Sequence, residues 1–391
     1  MNFILLTDYF SPIIKSGAII VGDLADELIS QGHKVSVVTF VNNQKEECNI
    51  SFNNNLQIIR IRCRSRAYRM PGRLLAEQRY SKKMIKNLAK LNFFSYDGII
   101  CYSPSIFYGS AIKWLKAKNN AKAYLIIRDI FPKWALDSKI IKKGIFYNYL
   151  KTIERSLYAN VDIIGIEAKS DMEYFENYDY ENPAILEVLS NWGSVKELKD
   201  VGFPSVLLNE NTVNIVYGGN TGSAQNLLSL INMIDYSILE KKACLIILGS
   251  GNQFSALRET IKRKKLYNII LMPLVEREQY NSIMSSADIG LVSLDSKMLS
   301  NNYPLKMIGY MQLGKPILAS VNENNEVFNL INENNIGLVS EASNKKEFNK
   351  NLNVMINSKS IRREQGQNGI KLFNDKFTAK VAASQISAHF I

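Results

Sequence analysis

The sequence predicts an α/β protein of two doubly wound, Rossmann-like domains facing across a cleft. Three observations carry that expectation. Short apolar runs alternate with stretches of helical spacing along both halves, the pattern of βαβ units with buried parallel strands. The chain has 391 residues, long for one domain and comfortable for two. A mixed polar stretch at 195–211, containing Gly202 and Pro204, interrupts the alternation. Domains are therefore expected over 1–200 and 205–375.

In the first half, 2–6 is an apolar run suited to a central strand, and 7–12 is the loop at its carboxyl end. Lys15, Ser16, Gly17 and Ala18 follow, then helical spacing over 19–30 and a strand at 34–39. His33 falls in the turn at the opposite end of the sheet and reads as structural. A strand at 56–61 runs into the segment 60–90, where eleven Lys or Arg face a single acid, Glu77. That segment carries +10 of a net charge of +12. A helix at 80–91 exposes Lys82, Lys83, Lys86 and Lys90. The bland reading is a solvated basic face, and no nucleic-acid-binding module is recognisable. The favoured reading is a patch of Arg64, Arg66, Arg69, Arg73, Lys82, Lys83 and Lys86 facing anionic lipid headgroups, each charge worth about 1 kcal/mol near the surface. Met70, Leu74 and Leu75 could dip into that interface.

A strand at 97–102 ends in Ser103-Pro104, and a helix at 106–118 leads to a strand at 123–127. Arg128 and Asp129 stand directly after it, at the edge of a parallel sheet where α/β sites are built. Asp129 could instead cap the next helix. A helix at 151–158, a strand at 162–166, a helix beginning at Glu167 and a strand at 186–192 complete the half.

The second half restarts with a strand at 214–217 and the loop Gly218, Gly219, Asn220, Thr221, Gly222, with Gln225 and Asn226 beyond it. A glycine-rich loop between strand and helix is a phosphate cradle. A strand at 243–248 ends at Gly249 and Gly251. Next come a helix to Lys264, a strand at 269–272, Pro273-Leu274-Val275, a helix at 276–285 and a strand at 287–293. The stretch 300–320 organises the rest. Asn301 or Asn302 can cap a helix with Pro304 in its first turn. Met307, Ile308 and Met311 form its apolar stripe, Gly314 stops it, Pro316 prevents its resumption and 317–319 is a buried strand. Lys306 in the first turn makes the helix start an anion site. An ordinary αβ unit that binds nothing is the alternative. Asn325 and its neighbours in 322–326 could contact a ligand or cap the following helix.

Composition narrows the chemistry. Hydrophobic residues make up 46%, enough for two cores, and no apolar run approaches the roughly 18–20 residues that span a bilayer. The first residues lack a basic flank and read as a strand rather than a signal peptide, so a cytoplasmic location is expected. The four cysteines (Cys48, Cys63, Cys101, Cys244) and two histidines (His33, His389) are scattered, which argues against zinc and Ser-His-Asp chemistry. No D-x-D cluster is placed for a metal, and metal independence is expected.

Pro304-Leu305-Lys306, Tyr310-Met311 and Gly314-Lys315-Pro316 resemble the Pro-Ser-Lys-x-x-Glu-Tyr-Met-Ala-x-Gly-Lys-Pro segment of family 4 glycosyltransferases, retaining enzymes of the GT-B fold. The first βαβ unit, the Arg128-Asp129-x-x-Pro132 segment and the Ala287-Asp288 strand resemble the same family. The resemblance implies a donor site made of Gly17, Gly219, Asn220, Thr221, Gly222, Gln225, Gly249, Gly251, Pro273, Leu274, Val275, Ser300, Pro304, Leu305 and Lys306. It implies acceptor contacts from Ser103, Arg128 and Asp129, with Asp129 and Lys306 in catalytic roles and Arg128 pairing with Asp129 or a phosphate. It also implies a helix at 376–391 packed back on the first domain. Two family glutamates stand here as Asn301 and Gly309, so Gly309 suggests close packing or an altered grip on the ribose. Polar residues near Asn220 and Gln225 replace the usual Arg and Lys, which leaves diphosphate neutralisation to Lys306 and the helix dipole.

The expected activity is transfer of an N-acetylated amino sugar, such as N-acetylfucosamine, from a UDP-sugar to a polyprenyl-diphosphate-linked glycan in O-antigen or capsule synthesis. It would take place at the inner face of the plasma membrane, with no further cofactor. No carboxylate nucleophile is evident, which favours front-side displacement. The rivals are an epimerase or hydrolase on the same fold, a non-catalytic membrane- or nucleic-acid-binding protein using 60–90, and a transferase-like protein with degraded catalysis.

Overall fold

The computed structural model describes the chain except residues 14, 64–71, 92–94, 104, 177, 179–183, 195–211 and 297–302, and the side chains at 73, 75, 277 and 278. The chain divides into two compact units, Met1–Ser190 with Ala379–Ile391, and Asn191–Thr378. The first unit closes at Ser190 rather than 200. The Gly193 N–H donates to Phe377 O (2.8 Å) and Gln312 Nε2 to Ser194 O (2.6 Å), which ties 191–194 to the second unit. The remaining stretch expected as the boundary, 195–211, lies outside the described residues.

The first unit contains β1 (Asn2–Thr7), α1 (Ser16–Ser30), β2 (Lys34–Val41), β3 (Cys48–Asn53), β4 (Leu56–Arg62), α2 (Gly72–Glu77), α3 (Tyr80–Lys90) and β5 (Gly98–Tyr102). It continues with α4 (Gly109–Asn119), β6 (Lys122–Ile126), α5 (Lys133–Asp137), α6 (Ile145–Tyr158), β7 (Ile163–Ile166), α7 (Met172–Glu176) and β8 (Ile185–Val188). The sheet order is β3-β4-β2-β1-β5-β6-β7-β8, parallel except for the β3–β4 pair. Strands buried on both faces, such as β1 and β5, are the continuous apolar runs. β3 was not expected. It is a polar, partly exposed edge strand folded onto β4 through a turn in which Asn54 takes φ 51°.

The second unit holds β9 (Val213–Asn220), α8 (Leu227–Met233), α9 (Tyr236–Leu239), β10 (Ala243–Ser250), α10 (Phe254–Arg263), β11 (Ile269–Met272), α11 (Arg277–Ser285) and β12 (Ile289–Ser293). Then come α12 (Leu305–Gln312), β13 (Ile317–Val321), α13 (Glu326–Asn334), β14 (Gly337–Glu341), α14 (Lys345–Asn357) and α15 (Lys359–Lys376). Its sheet is fully parallel, in the order β11-β10-β9-β12-β13-β14. The last helix, α16 (Ala379–Ser387), returns to the first unit. There Gln31 Nε2 reaches Ser384 Oγ (3.2 Å), Gln385 Nε2 donates to Val188 O (2.9 Å), and Phe390 meets Phe3 edge-on.

One device sets strand register three times. An aspartate just before a strand accepts the N–H that opens its neighbour: Asp97 from Asn2 (2.7 Å), Asp162 from Ala123 (2.7 Å) and Asp288 from Asn214 (2.9 Å). This explains why a carboxylate follows Ala287 at the start of β12. Replacing Asp288 by Ala leaves the buried Asn214 N–H unpaired, at a cost of about 1–3 kcal/mol. The denaturant midpoint should fall with its slope unchanged; an unaltered midpoint contradicts the assignment.

Candidate functional site

In the second sheet the strand order reverses between β9 and β12, and ligands of open α/β sheets sit beyond the carboxyl ends of the strands at that point. The two segments the sequence singled out meet there. β9 runs out through Gly218 and Gly219 to Asn220, and the chain after β12 leads to α12. Gly219 takes φ +124°, which a side chain resists. A Cβ there would lie 3.8 Å from Lys306 Cε and 3.9 Å from Nζ, so the lysine runs alongside this bare backbone. Gly249 is required for close approach, because a Cβ on it would strike Gly219 O and Thr221 Cγ2. Gly251 presses on Asn220 and Thr221 in the same way, and Gly222 packs beside the Asn220 amide.

Lys306 is half-buried, with Nζ 3.8 Å from the centroid of the Tyr217 ring. No carboxylate or carbonyl partner accompanies the amine among the described residues. Burial pulls its pKa from the ordinary lysine value down to about 7. Further along the loop after β9, Thr221 Oγ1 and Gln225 Oε1 are buried and lack a hydrogen-bond partner among the described residues. Tyr217 donates its hydroxyl to Asn220 O (2.5 Å), fixing both ring and loop.

The helix carrying Lys306 is anchored from below. Tyr310 donates to Val216 O (3.0 Å) or Leu291 O (3.2 Å), the carbonyls of β9 and β12, and its ring lies on Gly290. Lys315 Nζ donates to Ser285 O (2.6 Å) at the end of α11, which makes this motif lysine a structural tie. Two expectations are corrected here. Pro304 is the N-cap residue rather than a first-turn residue, and no side chain among the described residues caps α12. Gly309 is not closely packed, since a Cβ on it would meet nothing within 4 Å. Ser300, Asn301 and Asn302 lie outside the described residues. Pro273, Leu274 and Val275 leave the edge strand β11, with Leu274 exposed. Asn325 caps α13, accepting from the Val327 N–H (2.9 Å).

The first unit gathers a second cluster at the carboxyl ends of β5, β6 and β7. Arg128 is buried and donates to Leu189 O (2.6 Å) and Ser190 O (3.4 Å). Two of its guanidinium nitrogens are thus bonded to the backbone that leaves β8. Its charge acts on Tyr102, Asp129 and Glu167. Asp129 does not cap α5, whose N-cap residue is Pro132. Desolvation raises the Asp129 pKa and the Arg128 charge opposes the rise. Glu167 was read only as a helix start. It is buried, and burial pushes its carboxyl up to about 8 against the pull of Arg128, with Asp129 and Asp171 adding to the rise. The missed signal was a charged residue directly after a buried strand, the same feature that marked Arg128 and Asp129. Ser103 is buried, its N–H bound to Ile126 O (2.9 Å), and Gly17 packs against the Tyr102 ring.

The basic segment is only partly available. Lys82 and Lys86 are exposed on α3. Lys83 is not part of a free patch: it pairs with Glu47 (3.2 Å) and donates to Arg62 O (2.8 Å). Arg64, Arg66 and Arg69 lie outside the described residues, as does the side chain of Arg73.

With both clusters defined, comparison with known proteins gives them a context. Residues 201–372 match the family profile of Glycosyl transferases group 1. A probable glycosyltransferase of Pseudomonas aeruginosa, WbjE, is 25% identical over 247 residues, which cover 60% of this chain and 57% of that protein. This chain thus spans little more than half the length of that relative. Sucrose-phosphate synthase from Thermosynechococcus elongatus superposes with a TM-score of 0.75 at 13% identity, over 100% of this chain and 98% of that one. WaaG, a glycosyltransferase involved in lipopolysaccharide biosynthesis, gives 0.67 at 13% identity over 99% of both. The trehalose-6-phosphate protein of E. coli, solved with UDP-2-fluoro glucose, gives 0.72 at 12% identity, over 100% and 99%. The fold is that of the GT-B glycosyltransferases, two Rossmann-like domains with parallel sheets.

The Glu167 assignment predicts a pH signature. Its folded pKa lies above the ordinary carboxylate value, so the folded state holds the extra proton between the two values. Stability must then fall as pH rises from about 4.5 towards 8. Glu167→Gln should flatten that slope and melt above the wild type on the alkaline side; parallel melting curves against pH contradict it.

Proposed function

We propose that the protein is a retaining glycosyltransferase that moves a sugar from a UDP-sugar to a glycan carried on a polyprenyl diphosphate, in O-antigen or capsule synthesis. The observation that carries the reading is the Lys306 amine, seated between the Tyr217 face and Gly219 with no anionic partner among the described residues. A diphosphate supplies the missing charge, and its approach raises the lysine pKa and holds the ammonium form. The match of 201–372 to the glycosyltransferase profile and the UDP-sugar in the E. coli neighbour support a nucleotide-sugar donor. The similarity to WbjE, a probable glycosyltransferase, supports the transferase class, and an amino sugar such as N-acetylfucosamine is the moiety we propose is transferred.

The reaction follows from these parts. The bond between the anomeric carbon and the β-phosphate oxygen breaks, and its electron pair leaves with the phosphate. The acceptor hydroxyl bonds to the same face of that carbon, and its proton passes to the departing phosphate oxygen. Lys306 and the open N–H groups at the start of α12 stabilise the charge that builds there. Asp129 orients the acceptor hydroxyl, and Glu167, neutral near pH 7, is a hydrogen-bond donor in the same cluster. No step requires a metal, and turnover should persist in EDTA.

A calorimetric and thermal-shift panel of UDP, GDP, CMP and TDP tests the donor site. UDP should bind selectively. Lys306→Ala should weaken it about tenfold or more, the scale of a lost charge-assisted hydrogen bond. A protein that binds none of the four, or a variant that binds UDP as well as the wild type, overturns the reading.

A further inference from the structure

We propose that residues 133–149 of the first unit form a membrane-insertion surface that takes the headgroups and outer acyl region of an anionic bilayer. Five large apolar side chains within seventeen residues are exposed there. Ile145 is 92% exposed and Ile140 56%, with Trp134, Phe146 and Tyr149 exposed beside them in sequence. The other exposed large apolar residues among those described are scattered along the chain, the ordinary pattern that needs no explanation. A cluster of this kind marks an interface.

The side chains are held out rather than frayed. Ile141 packs against the core of the first unit, and Leu150 and Leu157 bury the opposite face of α6. Ile145 and Tyr149 share one helix face at the i, i+4 spacing. The next turn is locked by the buried Glu154 carboxylate, which pairs with Lys151 and accepts the hydroxyls of Tyr174 (2.7 Å), Tyr178 (2.7 Å) and Tyr158 (3.2 Å). The apolar tip therefore stands on a rigid base.

Charge selects the occupant. The segment holds four lysines against one acid, for a charge of +3. Lys133 pairs with Asp137 (2.5 Å), whereas Lys139, Lys142 and Lys143 are exposed and have no carboxylate partner among the described residues. Lysines around exposed Ile and Phe, with Trp and Tyr at the margin, match an anionic lipid interface. This surface is separate from the basic segment 60–90, where Arg60, Arg62 and Lys83 are tied to neighbouring groups. The chain runs from Asp129 directly into it, so a lipid-borne acceptor would be delivered beside the Arg128 cluster. That link rests on the transferase reading; the surface itself does not.

The full-length protein is sedimented with vesicles of phosphatidylcholine alone and of phosphatidylcholine with phosphatidylglycerol. Binding is expected to the mixed vesicles. Ile145→Ser with Phe146→Ser, and separately Lys142→Glu with Lys143→Glu, should each weaken it about tenfold or more. Brominated lipid should quench the tryptophan emission, and Trp134→Phe should remove that quenching. All of these positions are exposed, and each variant's melting temperature and UDP binding are measured alongside. Vesicle binding lost with UDP binding intact in the variants supports the surface. No vesicle binding by the wild type, or binding unchanged in both double variants, overturns it without touching the donor site. A concentration-dependent dimer that Ile145→Ser with Phe146→Ser abolishes assigns the surface to a second copy and also overturns the proposal.

Discussion

The Lys306 amine has an aromatic face under it, a glycine backbone beside it and no carboxylate among the described residues, and desolvation alone brings its titration near neutrality. Much of the second unit serves to keep it there. Tyr310 fastens α12 to the carbonyls of β9 and β12, while Lys315 ties its far end to α11. Gly219, Gly249 and Gly251 let two loops press together so that backbone, rather than side chain, faces the amine. A site of this kind is costly for the empty protein and favourable once an anion arrives. That asymmetry is what a donor site for a nucleotide diphosphate needs.

The first unit solves a different problem. Arg128 donates to Leu189 O and Ser190 O, joining the end of β6 to the chain leaving β8, and its charge lowers the pKa of both Asp129 and Glu167. Burial disfavours the charged form of Glu167 more than the Arg128 charge favours it, with Asp129 adding to the rise, so Glu167 keeps its proton to about pH 8. The cluster thus presents an acceptor and a donor of hydrogen bonds side by side, suited to fixing a hydroxyl.

The alternation of buried strands and helices was legible because a parallel strand covered on both faces leaves a continuous apolar run, as in β1, β5 and β13. β3 was hidden by its polar, exposed edge position, although the Asn53-Asn54-Asn55 turn was a usable signal. Lys306 and the glycine loops were legible from motif and spacing. What the sequence could not reveal is how side chains spend their bonding capacity. Arg128 donates to two backbone carbonyls that no local pattern announced, and Lys83 looked like a free surface charge and is paired. Gly309 looked like a packing glycine and faces open space. Such commitments depend on partners far away in the chain, which no local pattern encodes. The apolar tip at 140–146 was missed for the same reason, since exposure is a property of the folded unit.

The most direct test is to titrate the Lys306 amine itself, by NMR of the isotope-labelled lysine side chains with Lys306→Arg for assignment, with and without UDP. The account predicts a free-protein pKa of about 7 that rises when UDP is bound. A free value near that of an ordinary surface lysine, unmoved by UDP, would contradict it.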